Sequence, residues 1–301
     1  MQHRWRYKKM FKPGLKAFKT LIVLNIAVIT YGQTSNTFYS DKKKGQIYVS
    51  WGWNRGFYSK SNIHLRGADY DFTLYKVKAH DRPTPFSYHN YLKFNRLTIP
   101  QTNFRLGYFI KDNIAVSLGF DHMKYVMDQD QVVNMKGTID HPGLYKGVYN
   151  GDKTLTSDFL RFEHTNGLNY INIEGERFAK LYHSKSNKLI VSWFTGAGIG
   201  FLFPRSDVKL MDYDRNDEFH VAGYGINLTA GLQSTFFKHF FIKIENKCGF
   251  INMPDINLHK KGIFGRGKQS FWFDELDGMI GGSFSFGHKK KTKKNIENYN
   301  K

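Results

Sequence analysis

Glu163-His164-Thr165-Asn166-Gly167 brings together the residue types of this chain that come nearest to a reactive set. An imidazole can take the proton of a hydroxyl and make it a nucleophile, provided the two lie within hydrogen-bond reach and a third group orients the ring. His164 and Thr165 are neighbours, however, and adjacent side chains on a strand leave on opposite faces. A polar strand entrance is the plainer reading, so His164, Thr165 and Asn166 stay candidates and no catalytic residue is assigned. Adjacency works in the same way against Asp121-His122 and, unless a loop bends it, against His80-Asp81-Arg82. The run Asp212-Tyr213-Asp214-Arg215-Asn216-Asp217-Glu218 alternates oxygen ligands of the kind hard cations take. An EF-hand loop needs Gly at its sixth position and Glu at its twelfth, and here those positions are Asp217 and Gly223. A solvated acidic loop is expected, with Asp212, Asp214, Asn216 and Asp217 as candidates for loose cation binding and no metal site assigned. No Gly-rich phosphate loop and no His-Glu-x-x-His string occurs, and no cofactor is expected. Cys248 is the one cysteine, which excludes an intrachain disulfide framework and a multi-cysteine zinc site.

The elements that must position these residues read as strands. Phe104, Leu106, Tyr108 and Ile110 share one parity, as do Ile114, Val116, Leu118 and Phe120. The pattern returns in Leu189–Phe201, in Ala222–Leu232, in Phe240–Phe250 (interrupted by Asn246) and in Ile280–Phe286. A period of two over so many residues means strands with one apolar and one polar or small face. The second face carries Arg105, Asp121, Glu174, Glu176, Lys243, Glu245, Lys247, Glu275 and Asp277, mixed with glycines. Such charges can pair across a narrow lumen, with Asp121 expected against Arg105. A soluble barrel or sandwich would show the same alternation with the apolar face turned inward.

Turn lengths separate the two ends. Lys111-Asp112-Asn113, His183–Lys188 and Phe237-Lys238-His239 are tight, whereas 57–96, 128–166, 204–218 and 254–269 are long and polar. Short turns at one end and long loops at the other is the asymmetry of a membrane barrel, in which strands of about 9–11 residues suffice to cross. Eight strands are expected, near 45–56, 97–110, 114–127, 167–180, 189–203, 219–235, 240–253 and 270–286. Ten would result if the alternating segments at Tyr70-Phe72-Leu74 and Phe86-Tyr88-Leu92 joined the wall. Trp51, Trp53, Tyr108, Trp193 and Trp272 fall toward segment ends, where interfacial aromatics belong. Cys248 has the lipid-facing parity and no basic neighbour there, and is expected to be inert.

The formal charge of +20 over 301 residues is concentrated at the ends. Residues 1–32 hold seven Lys and Arg and no acid, and residues 288–301 hold six lysines against Glu297. That distribution argues against a nucleic-acid footprint. The basic start, the apolar run Thr20–Tyr31 and Gly32 have the layout of an export signal cut after Gly32, with Thr30 at the −3 position. The expected divisions are a signal peptide at 1–32, a lead at 33–44, a barrel at 45–287 and a lysine-rich tail at 288–301.

Over 45–287 the chain resembles Gram-negative outer-membrane β-barrel proteins, in its export signal, alternating strands, turn asymmetry and a last strand ending in Phe286. It departs from them in continuing past that aromatic into His288-Lys289-Lys290-Lys291-Thr292-Lys293-Lys294. The resemblance implies an all-β, antiparallel, up-and-down transmembrane barrel in the outer membrane, with outer-membrane lipids and lipopolysaccharide as partners. Outer-membrane lipid hydrolases offer a second resemblance, through a His-x-Ser-Asn-Gly string. Here threonine replaces serine and the intervening residue is missing. The expected role is therefore non-enzymatic, structural or surface-interacting through the long loops, toward an extracellular ligand of unspecified chemistry. A lipid or lipid A hydrolase and a small-solute pore are the alternatives.

Overall fold

The computed structural model describes residues 42–85, 87, 100–186 and 188–285. The export segment, the lysine-rich tail, Phe86, Tyr88, Leu92 and Phe286 lie outside the described residues. All regular structure among the described residues is strand: β1 (Gln46–Tyr58), β2 (Ser61–Gly67), β3 (Tyr70–Val77), β4 (Ala79–His80), β5 (Thr102–Lys111), β6 (Ile114–Met127), β7 (Val132–Ile139) and β8 (Gly147–Thr154). These are followed by β9 (Leu160–His183), β10 (Leu189–Leu202), β11 (Arg205–Leu210), β12 (Asn216–Phe219), β13 (Gly223–Phe236), β14 (Phe240–Asn257) and β15 (Gly265–Ser285).

Eight of these strands make a ring. β1 pairs with β5, β5 with β6, β6 with β9, β9 with β10, β10 with β13, β13 with β14, β14 with β15, and β15 returns to β1, every pair antiparallel. The closing pair runs through thirteen residues, from Gln46↔Ser285 to Tyr58↔Phe273. A closed ring has no free edge, which lets a sheet satisfy its backbone groups in hydrocarbon. The short turns gather at one end. They are sharp because Asn113 at one, and Phe237 and Lys238 at another, take the left-handed conformation, at φ of 62°, 51° and 71°.

At the other end the wall grows into a cap. The first residues of β15 leave β1 behind and pair with β2 (Gly265↔Gly67 to Ser270↔Asn62), and the sheet continues through β3 and β7 to β8. β11 pairs with the start of β9 and with β12, and β4 pairs with the end of β6. Segments read from sequence as loops thus carry β2, β3, β7, β8, β11 and β12. The Tyr70–Leu74 segment is β3 of this cap and no part of the ring, which holds eight strands. β9 and β15 exceed their expected bounds because their early residues serve the cap.

Candidate functional site

On β9, β14 and β15 the inward face changes character along its length. On β9 it runs Leu168 and Tyr170, then Asn172, Glu174 and Glu176, then Phe178. On β14 it runs Phe241, then Lys243, Glu245 and Lys247, then Ile251 and Met253. On β15 it runs Phe271 and Phe273, then Glu275 and Asp277, then Met279. Stacked around the ring, these segments fill the interior in three layers. At the short-turn end Tyr48, Phe109, Ala115, Phe178, Phe194 and Phe241 form an aromatic plug. At the cap end a larger apolar core joins the wall to β2, β3, β7 and β11 through Leu65, Phe72, Met135, Phe159, Val208 and their neighbours.

The middle layer holds the charges. The Arg105 guanidinium lies 2.9 Å from Glu174 and 3.4 Å from Asp121, and it donates to Asn172 Oδ1 at 3.2 Å. Lys247 Nζ stands 2.5 Å from Asp121 and 3.3 Å from Glu174. Lys243 Nζ lies 3.1 Å from Glu176 and 2.6 Å from Glu245. Tyr48 donates its hydroxyl to Glu176, and Asn103 donates to Glu275 at 3.1 Å. Asp277 is 1% exposed and neither of its oxygens accepts a hydrogen bond. The nine residues therefore place six carboxylates and three cations in one sealed layer. Room comes from glycines: a Cβ on Gly119 would stand 2.8 Å from the Arg105 guanidinium and 2.5 Å from Asn172 Oδ1.

The opposite parity faces out and is apolar. Leu118 is 52% exposed and Ile199 63%, and Phe104, Leu106, Val116, Ile173, Ile226, Leu232, Ile244 and Ile280 are exposed with them. A closed wall with buried charge inside and bare aliphatic side chains outside is the inverse of a soluble barrel, and only hydrocarbon satisfies it. The chain is a membrane-crossing β-barrel. No helix of the described residues is long and apolar enough to span a membrane, and the barrel crosses with strands. No family model matches the chain, and none of the curated proteins matches it. Among solved structures it is similar to the outer membrane protein OprG from Pseudomonas aeruginosa, at 11% identity and a TM-score of 0.40, over 81% of this chain and 98% of that one. It is also similar to AlkL in lipid bilayers, at 9% identity and a TM-score of 0.39, over 84% and 97% of the two chains. A third likeness is to Neisserial surface protein A, at 10% identity and a TM-score of 0.35, over 80% and 100%.

The barrel distributes the other candidate residues among separate partners. His164 does meet a hydroxyl, but it is Ser206 on β11, 2.9 Å from Nδ1 and 42 residues along the chain. Both groups are buried, His164 between the rings of Tyr125 and Phe162. Thr165 leaves on the other face, and Asn166 donates to Asp217 at 3.2 Å. Asp121 faces the lumen while His122 bonds Asn169 at 2.8 Å. His80 goes to Asp128, Asp81 accepts from the Gly56 N–H, and Arg82 pairs with Glu163. Asp214 pairs with Lys260 and Asp217 with Arg205, while Asn216 is buried and donates to the Ser206 and Asn257 carbonyls. Among the described residues no three His, Cys, Asp or Glu side chains stand where they could hold a metal. Cys248 keeps the outward parity but is buried, opposite Asp274 and Leu228.

One constellation in the cap carries no signal in sequence. His141, in the β7–β8 turn, bonds Asp69 in the β2–β3 turn at 2.6 Å and Asp212 after β11 at 2.6 Å. Tyr213 donates to Asp69, and its ring packs 4.5 Å from His141 and 4.1 Å from His259. Partial burial disfavours the imidazolium, but the bonds to Asp69 and Asp212 outweigh it and hold the His141 pKa above its ordinary value. Burial likewise works to raise Asp69, and the bonds from Tyr213 and His141 bring it below the usual carboxylate range. This clasp ties three loop tips together. Asp69 and His141 lie 72 residues apart, so only the register of β3 on β7 brings them into contact.

Proposed function

We propose that this barrel is a filled, non-conducting anchor that holds a folded cap of strands at the cell surface, where the cap makes the molecule's contacts. The observation that carries this reading is the apolar–charged–apolar sequence along the inward faces of β9, β14 and β15, whose side chains occupy the lumen at three levels. An eight-stranded barrel is about wide enough for its side chains to fill, and here ion pairs bridge its interior. The hydrolase reading fares worse, since the one imidazole–hydroxyl contact of that region, His164–Ser206, is sealed inside the cap core. Residues 1–32 direct export and are cleaved from the exported chain, and the short turns face the periplasm. Outer-membrane lipids and lipopolysaccharide surround the wall, and an extracellular ligand meets the cap.

Leu144, at the tip of the β7–β8 turn and 85% exposed, tests the orientation. In intact cells a membrane-impermeant maleimide should label Leu144→Cys, with Cys248 replaced by serine. Labelling that requires permeabilised cells would overturn the display reading.

A further inference from the structure

An open groove of about 520 Å³ runs along the outer surface of the cap. Lys60, Lys76, Lys78 and Lys136 line it together with Tyr75 and Gln131, and no carboxylate lines it. None of the four ammonium groups forms an ion pair with a described carboxylate. Four like charges converging without counter-charge repel one another, and the arrangement is relieved by an anion.

The local fold is shaped to turn these lysines outward. Between Val77, opposite Ser61, and Leu74, opposite Ile63, strand β3 carries one residue more than β2. This bulge puts Lys76 in the left-handed conformation, at φ 57°, with its N–H on Asn62 Oδ1 at 3.0 Å. A bulge re-aims a side chain. Tyr75 and Lys76 therefore both reach the outer side, while Leu74 and Val77 stay in the core. Lys78 is fixed by Gln131, whose side chain accepts from the Lys78 N–H at 2.8 Å and donates to its carbonyl at 2.9 Å.

The groove's height above the membrane selects its occupant. Phe57 and Trp272, 44% and 48% exposed, lie where the outward belt of β1 and β15 ends, and Ser59 donates to the Trp272 carbonyl at 2.9 Å. Lys60 is three residues beyond Phe57. On a tilted strand that advance is roughly 8 Å along the barrel axis. This is the depth of the polar headgroup layer bordering the hydrocarbon, where the anionic groups of an outer leaflet are the phosphates of lipopolysaccharide.

We propose that Lys60, Lys76, Lys78 and Lys136 form a binding site for the phosphate groups of a neighbouring lipopolysaccharide molecule, taking the place of the divalent cations that otherwise bridge them. The site rests on the display reading for its place against the outer leaflet. Lysines near an anionic surface each contribute about fivefold in affinity.

The test titrates fluorescent rough lipopolysaccharide onto the full-length barrel in uncharged micelles at fixed salt. Lys60→Gln/Lys78→Gln should bind about 30-fold more weakly than the unaltered chain, whereas Lys185→Gln/Lys188→Gln at a short inner turn should not differ from it. Dephosphorylated lipopolysaccharide should bind the unaltered barrel as weakly as intact lipopolysaccharide binds the groove variant. Equal affinity of the groove variant and the unaltered barrel, with both shown folded by heat-dependent gel mobility, would overturn the site. So would an equal preference for the dephosphorylated glycolipid. Either result with Leu144→Cys labelled from outside rejects the groove alone. A Leu144→Cys that labels only from within rejects the display reading, and with it the groove's position at the outer leaflet.

Discussion

Replacing Arg105 by methionine removes one guanidinium that serves two carboxylates, Glu174 at 2.9 Å and Asp121 at 3.4 Å. At an effective dielectric of about 20, each contact is worth about 5 kcal/mol before desolvation is set against it. Removing one member of a buried pair costs about 3–5 kcal/mol, because the partner charge stays behind. Lys247 remains beside both carboxylates, which places the expected loss near the lower end, about 3 kcal/mol. The layer holds six carboxyl groups against three cations, and Arg105→Met leaves Glu174 and Asp121 with Lys247 as their cation partner. Glu174→Gln in the same chain should return about half of the loss, since it takes away one of the stranded charges. The assay is guanidinium unfolding of the micelle-refolded barrel, followed by tryptophan fluorescence and gel mobility. A loss under about 1 kcal/mol, or a Glu174→Gln that adds to the loss, would refute the claim that lumen charges hold the wall.

Three further outcomes follow from the cap. Phe159→Ala, which empties a fully buried site beside Phe72 and Tyr145, should cost about 3–5 kcal/mol of cap stability. Limited proteolysis should then cut residues 140–158 while the heat-modifiable barrel survives; an uncut cap would show that the loops do not share one core. The His141 clasp should be tightest between the ordinary pKa values of Asp and His. Because the His141 pKa is raised, its contribution is complete below about 6.5 and fades as pH rises through the folded value. Because the Asp69 pKa is lowered, its contribution is present above about 3.8 and fades as pH falls through the folded value. Proteolysis of the loop tips should therefore accelerate on passing from pH 6 to pH 9, and His141→Gln should abolish that difference; a flat profile in the unaltered chain counts against the clasp. His164→Ala should leave lipid turnover unchanged while costing about 1–3 kcal/mol through the stranded Ser206 hydroxyl. Fatty-acid release that disappears in this variant would restore the hydrolase.

The ring was legible because its signal is redundant. Leu118, Ile173, Ile244 and Ile280 hold the same parity on four different strands, and the tight turns at Asp112-Asn113 and Phe237–His239 fix which ends meet. Lumen parity placed Arg105 on the face of Asp121 for the same reason. The cap was not legible, since its apolar parity is the reverse of the wall's. On β9 the outward residues Ile171 and Ile173 give way to inward Leu168 and Tyr170, and on β14 outward Ile244 gives way to inward Ile251 and Met253. The expected strands at 167–180 and 240–253 take in these inverted residues, but the segments beyond them read as loops. The inversion itself was the missing signal: it marks where hydrocarbon outside is replaced by water. Ser206 as the partner of His164, and the joining of Asp69, His141 and Asp212, depend on long-range register that no local spacing encodes.

The central claim is that the lumen is filled, and current through single barrels tests it most directly. Residues 33–301, refolded and reconstituted into planar bilayers, should give no resolved conductance steps, and Arg105→Met/Lys247→Met should be the first variant in which steps emerge. Regular, salt-proportional steps from the unaltered barrel would contradict the filled lumen and make the charged layer the lining of a pore.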